Sequence, residues 1–171
     1  MRSSAVCGAV CESDEFKRAQ TIAIYRAMPG EVIMDDVFRV AIARGMIVLY
    51  PRVKKGKRDL TFCVVSRMED MVPGAWGIME PAGGAEVRQI GEPDLVLAPG
   101  VAFDRKGGRL GQGGGFYDRV FRKMRRDAVR MGIAYLLQIV DEVPREPHDG
   151  TVDCLATESG LIRFRSSGGV S

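Results

Sequence analysis

Six of the nine residues from 107 to 115 are glycine: Gly107, Gly108, Gly111, Gly113, Gly114 and Gly115. No helix or strand carries that density, because each interior glycine costs roughly 0.5–1 kcal/mol relative to alanine. The segment must be a loop, and one in which bare backbone comes close to something. Its flanks sharpen the point. Asp94-Leu95-Val96-Leu97-Ala98, closed by Pro99-Gly100, reads as a buried strand. Behind the glycines, Phe116, Val120 and Met124 recur every four residues, joined by Tyr117 and Phe121. Arg119, Arg122, Lys123 and Arg126 fall on the other face, so the spacing predicts a helix over 114–127. A glycine loop that feeds a helix start offers free N–H groups and the positive end of a helix dipole. That is a site for an anion, with phosphate the usual one. The bland alternative is a glycine-rich hinge that binds nothing.

Two charged residues accompany the glycines. Arg109 can fork onto phosphate oxygens, or it can be a solvated loop arginine. Asp118, in the first turn of the helix, would repel a bound phosphate unless a divalent cation lay between them. It is therefore a candidate Mg²⁺ ligand, direct or through water; equally, an acid there favours the helix dipole. The pattern GxxxxGK[ST] is absent, and the glycines do not follow the strand directly, so neither a Walker loop nor a dinucleotide fingerprint is present.

The rest of the chain alternates. A weakly patterned helix over 5–18 leads to a strand at Thr21-Ile22-Ala23-Ile24-Tyr25 and a turn at Met28-Pro29-Gly30. Asp35 or Asp36 can cap a helix whose face carries Val37, Phe38, Ala41 and Ile42, with Gly45 closing it. Strands are expected at 46–49, stopped by Pro51, at 60–65, at 133–139 and at 151–156, with 66–92 irregular. Alternating strands and helices on short links predict an α/β fold, a single-domain three-layer sandwich around a mainly parallel sheet. Ligands of such sheets sit beyond the carboxyl ends of the strands. The loops there carry Glu31, Arg52, Lys54, Lys55, Lys57, Arg105, Lys106 and Arg109, a basic rim suited to a polyphosphate.

Composition excludes more than it selects. The net charge of +3 is too mild to argue for nucleic acid. No apolar run reaches membrane-spanning length, and the N-terminus makes a poor secretory signal. The four cysteines, Cys7, Cys11, Cys63 and Cys154, form no CxxC pair. They read as free thiols of a reducing compartment, Cys154 as a buried strand thiol. The expectation is a cytoplasmic monomer with no nucleic-acid or membrane partner and a frayed tail over 165–171.

The run PGVAFDRKGGRLGQGGGFYDR resembles the signature of the 5-formyltetrahydrofolate cyclo-ligase family. TIAIYRAMPGEV, IVLYPRV, WGIMEP and PHDGTVDCLATESG resemble further family segments in the same order, so the likeness spans about 16–163. The resemblance implies conversion of 5-formyltetrahydrofolate and ATP to 5,10-methenyltetrahydrofolate, ADP and phosphate, with Mg²⁺. It also implies roles for residues. Arg109, Leu110, Gly111, Gln112, Gly113, Gly114, Gly115, Phe116 and Tyr117 would hold ATP, with Arg109 and Tyr117 positioning it. Arg26, Glu31 and the stretch from Gln112 to Phe116 would touch the folate. Asp118 and Asp153 would bind Mg²⁺.

Each role has an ordinary competitor: Glu31 a turn carboxylate, Asp153 a strand flank, Tyr117 plain core, His148 a structural turn residue. Trp76 could stack on the folate or fill core. The chain departs from the family at its start, where only Arg2 is basic before Phe16. A folate- or nucleotide-binding relative without full turnover therefore stands as the second reading. A different enzyme on a similar frame, using Glu31 or Asp118 as base, is the third.

Overall fold

The most apolar short runs of the chain become the centre of its sheet. The computed structural model describes residues 1–147 and 149–164. Helices α1 (Arg2–Glu12) and α2 (Asp14–Arg18) lead into β1 (Thr21–Ala23), then α3 (Asp35–Ala43), β2 (Ile47–Val53) and β3 (Leu60–Val64). Short strands β4 (Met71–Pro73), β5 (Met79–Pro81) and β6 (Val87–Arg88) precede β7 (Leu95–Ala98). The glycine region contributes β8 (Ala102–Phe103) and β9 (Arg109–Leu110), and α4 (Phe116–Lys123) follows. The chain then forms β10 (Val129–Ile133), β11 (Cys154–Thr157) and β12 (Gly160–Arg163).

Among the described residues the main sheet has eight strands in the order β12-β11-β10-β7-β1-β2-β3-β6. The five in the middle, β11-β10-β7-β1-β2, are mutually parallel. Every residue of β1, β7 and β11 is buried, as expected where both faces of a parallel sheet are covered. Counted along the chain, the parallel strands lie in the order 2-1-3-4-5, so the winding reverses between β1 and β7. Right-handed crossovers then place α3, which links β1 to β2, and α4, which links β7 to β10, on opposite faces. The sheet is mixed rather than purely parallel, because β3, β6 and β12 pair antiparallel at its edges.

Several elements differ from the sequence reading. The first helix breaks at Ser13, whose hydroxyl donates to Val10 O at 2.6 Å and accepts from Phe16 N at 3.1 Å, closing α1 and capping α2. Strand β2 runs through Pro51 to Val53. Its pairing with β1 ends at Leu49, and beyond it β2 pairs only with β3, where a missing N–H is tolerated. The strand expected at 133–139 lies instead at Val129–Ile133. Residues 136–138 form a 3₁₀ turn, because Gln138 Oε1 accepts from Tyr135 N at 2.8 Å and Nε2 donates to Gly100 O at 2.8 Å. Arg130 hid the true strand from a polarity reading. Its guanidinium reaches Phe121 O at 2.8 Å and lies 5.6 Å from that ring's centroid. The final strand pairs with an unforeseen β12, and α4 ends at Lys123, short of the expected 127. The region 66–92 is not wholly irregular: β4 and β5 form a hairpin.

The four cysteines are free thiols, and Cys154 is buried in β11. No helix among the described residues is long and apolar enough to cross a membrane. His148 and the tail expected over 165–171 lie outside the described residues.

Candidate functional site

The reversal between β1 and β7 opens a crevice past their carboxyl ends, the place where such sheets take ligands. A cleft of about 1110 Å³ lies there. The chain leaving β1 lines it with Tyr25, Arg26, Met28 and Glu31, and the chain leaving β7 with Pro99 and Gly100. Arg109, Leu110, Gly111, Gln112, Gly113, Gly114, Gly115, Phe116, Tyr117 and Asp118 complete that wall. The cleft's volume lies just above the range of about 300–1,000 Å³ typical of small-molecule sites.

The glycine loop divides in two. Its first half is a tied hairpin. Asp104 is 1% exposed, and its carboxylate accepts from the backbone N–H of Lys106 (2.9 Å), Gly108 (2.9 Å) and Val143 (3.1 Å). Burial would raise its pKa, but these three bonds and Arg145 outweigh burial and hold it below the usual carboxylate value. The second half is open. Among the described residues, no backbone N–H from 111 to 115 donates a hydrogen bond to the chain. Gly113 (φ 95°) and Gly115 (φ 68°) take left-handed backbone, and Gly115 is the residue that opens α4. Free amides and a helix start thus coincide on the wall of the cleft.

Arg109 is buried behind this wall. Its Nε donates to Pro99 O at 2.7 Å, its guanidinium carbon lies 5.3 Å from the Tyr117 ring centroid, and Nη1 is 3.8 Å from Asp118 Oδ1. Burial lowers its pKa, while the negative field of Asp118 opposes that shift. The 3.8 Å separation is too long for a hydrogen bond, so the guanidinium faces the cleft with capacity for another anion. Asp118 Oδ1 otherwise receives one bond, from Gly150 N at 3.3 Å. Tyr117 is both core and site: it packs edge-on against Phe121 at 6.3 Å, stacks on Arg109, and burial raises its pKa.

Across the cleft, Glu31 Oε2 accepts from Met28 N at 2.9 Å. Burial raises its pKa, against the opposing pulls of that bond and of Arg109. Tyr25 donates to Val32 O at 2.8 Å and fixes the same loop. Arg26 lines the cleft but spends Nη1 on Asp35 at 2.7 Å. Trp76 stands at the mouth, not in the core. It is 72% exposed at φ 55° and meets Phe116 edge-on at 6.0 Å.

The structure does not gather every candidate. Asp153 precedes β11, at the amino end of the parallel strands, and its Oδ2 accepts from Arg130 N at 2.8 Å; it does not line the cleft. Of the expected basic rim only Arg109 lines it. Arg52, Lys54, Lys55, Lys57, Arg105 and Lys106 do not, and Arg52 instead donates to Ala82 O at 2.9 Å. The lining cations are Arg26, Arg58, Arg109, Arg119, Arg122 and Arg145. Arg119 and Arg122 looked like a solvated helix face. Their position in the first two turns of a helix that follows an anion loop was the available signal.

Magnesium takes hard oxygen donors and commonly uses one or two carboxylates plus substrate phosphates. Among the described residues no three His, Cys, Asp or Glu side chains group as a metal cage. Asp118, on the cleft and lightly bonded, fits the smaller role.

The chain is similar in sequence and fold to known proteins. The 5-formyltetrahydrofolate cyclo-ligase family matches residues 1–158. A probable 5-formyltetrahydrofolate cyclo-ligase of Schizosaccharomyces pombe is 32% identical over 176 residues, covering 95% of this chain and 86% of the relative. The 5-formyltetrahydrofolate cyclo-ligase of Haemophilus influenzae is 33% identical over 138 residues, 79% of this chain and 74% of the relative. The solution structure of Aquifex aeolicus 5,10-methenyltetrahydrofolate synthetase superposes with a TM-score of 0.83 at 31% identity, covering 99% of this chain and 84% of that one.

Proposed function

This chain belongs to the 5-formyltetrahydrofolate cyclo-ligase family and is an enzyme of that class, and from that premise we propose that it closes 5-formyltetrahydrofolate to 5,10-methenyltetrahydrofolate at the expense of ATP. One observation carries the nucleotide half of this reading. The unbonded amides of 111–115 lie at the start of α4, between Arg109 and Asp118, on the wall of the cleft. That arrangement suits the β- and γ-phosphates, with Arg109 behind them. The folate ring would occupy the opposite wall, near Glu31, Tyr25 and Arg26, with Trp76 at the mouth.

In the reaction the formyl oxygen attacks the γ-phosphorus. An O–P bond forms, the bond to the bridging oxygen breaks, and ADP leaves. The N10 lone pair then adds to the activated formyl carbon, N10 loses its proton, and the C–O bond breaks to release phosphate. Little proton transfer is needed, so positioning and charge neutralisation carry the rate. Mg²⁺, held by Asp118 and phosphate oxygens, would neutralise charge on the transferring group. Glu31, whose pKa burial raises, can accept from or donate to the polar edge of the pterin.

A second reading has its own observation: no α1 residue lines the cleft, so the amino-terminal helix adds no cation there. A protein that binds both ligands without closing the ring would look like this. The cyclisation assay separates the two. Methenyltetrahydrofolate formation is expected only with ATP and Mg²⁺ together. Tight binding of both substrates with no product would establish the second reading, and turnover without ATP would end the first.

A further inference from the structure

Arg119 makes two contacts that core packing does not need. Its Nη1 donates to Gly114 O at 3.1 Å and to Arg58 O at 3.1 Å. One nitrogen, with its two hydrogens, thus ties the open half of the glycine loop to the tip of the β2–β3 hairpin. Asp59 of that hairpin stands 4.0 Å from Arg119 Nε and from Lys123 Nζ, holding the tip against α4. Among the described residues, Arg119 is the one side chain that hydrogen-bonds to backbone between 111 and 115.

The peptide unit linking Gly114 to Gly115 is planar and trans, so its C=O and N–H point in opposite directions. Holding the Gly114 carbonyl on Arg119 turns the Gly115 N–H the other way. With glycines on both sides, this unit would otherwise flip at little steric cost. A flipped unit would aim a carbonyl oxygen, rather than an N–H, at the anion. Preorganised donors accelerate reactions because they need no reorientation as charge develops.

We infer that Arg119 is a positioning residue for the proposed ATP site: it locks the Gly114–Gly115 peptide with its N–H toward the nucleotide and couples that loop to the β2–β3 hairpin. This rests on the nucleotide reading above. It assigns Arg119 a task distinct from a charge contact, because the two N–H directions of Nη1 are fixed in the guanidinium plane, whereas the shorter lysine ends in a freely rotating ammonium.

The test pairs a ligand-free measurement with a kinetic one, on wild type, Arg119→Ala and Arg119→Lys. In the free protein, backbone ¹⁵N order parameters over 111–116 should fall and amide hydrogen exchange over 54–59 should accelerate for either variant, while the melting temperature changes little. The KM for ATP should rise about tenfold, the scale of one lost hydrogen bond to a charged group, with a much smaller change for 5-formyltetrahydrofolate. Arg119→Lys should not rescue, whereas added guanidinium should partly restore Arg119→Ala. Unchanged order parameters over 111–116 together with unchanged exchange over 54–59, or full rescue by lysine, overturns the inference. If wild type neither binds nor uses ATP, the nucleotide reading fails instead, and the ligand-free measurements still judge the lock.

Discussion

The two halves of the glycine loop look alike in sequence and do opposite work. In the first half, a Cβ on Gly108 would sit 2.3 Å from Asp104 Oδ2 and 2.6 Å from Val143 Cγ2, and one on Gly107 would sit 2.6 Å from Val152 O. These glycines exist because neighbouring atoms occupy the space. In the second half the glycines differ: a Cβ on Gly114 would sit 2.6 Å from the Phe116 ring, whereas one on Gly113 would meet nothing within 4 Å. That glycine exists for its backbone angle and for what approaches from the cleft. Glycine density therefore marks a loop, but packing decides which glycines serve the fold and which face the ligand. The tied half makes the open half usable, because it presents unbonded amides from a fixed base.

Four measurements would break or sharpen this contrast. The largest effect is expected from Asp104→Ala. It strands three backbone N–H groups and should cost about 3 kcal/mol or more, at roughly 1–3 kcal/mol per unsatisfied group. That loss corresponds to a fall in melting temperature of roughly 6–12 °C. A variant that melts with wild type would show that the first half is not the base. Asp118→Ala, in the open half, should leave the melting curve nearly unmoved and lower Mg²⁺-dependent turnover on the order of a hundredfold, the scale of one lost preorganised electrostatic contact. An unchanged rate would remove Asp118 from the metal role.

Gly113→Ala should cost about 1–2 kcal/mol, because a side chain there must adopt left-handed backbone. Its effect should appear as weaker ATP binding and a small drop in melting temperature. Gly108→Ala should instead lower stability by more than that through its clash; equal melting losses would erase the distinction between the halves.

The smallest effect is the pH dependence, and its sign differs between the two walls. Asp104 has a lowered folded pKa, so its stabilisation is present above the usual value of about 3.9 and fades as pH falls through the folded value. Glu31 has a raised folded pKa, so stability is lost as pH rises from about 4.3 through that higher value. Asp104→Asn should therefore destabilise most at neutral pH and converge on wild type in acid. Glu31→Gln should match wild type in acid and exceed it at neutral pH. Denaturant titrations across this range would show either trend, and parallel curves would mean that neither carboxylate is perturbed.

Local pattern alone determined a good deal. Apolar β-branched runs and the Asp94 to Ala98 segment marked strands that the structure buries at the sheet centre. The glycines followed by Phe116, Val120 and Phe121 marked the loop and helix that build one wall of the cleft. The family signature lies in contiguous residues, so it too was legible. What escaped depended on partners distant in the chain. Arg130 made β10 look like surface, although its guanidinium lies over the Phe121 ring. Ser13 split a helix by bonding in both directions. Asp153, which the resemblance paired with Asp118, bonds Arg130 N at the amino end of β11 and does not line the cleft. Arg119 and Arg122 became cleft residues only when the β2–β3 hairpin arrived beside α4. Backbone preference and hydrophobic period act over a few residues and are written in order along the chain. The direction of a charged side chain, and the choice between an occupied and an open glycine, are set by whichever segment folds against it.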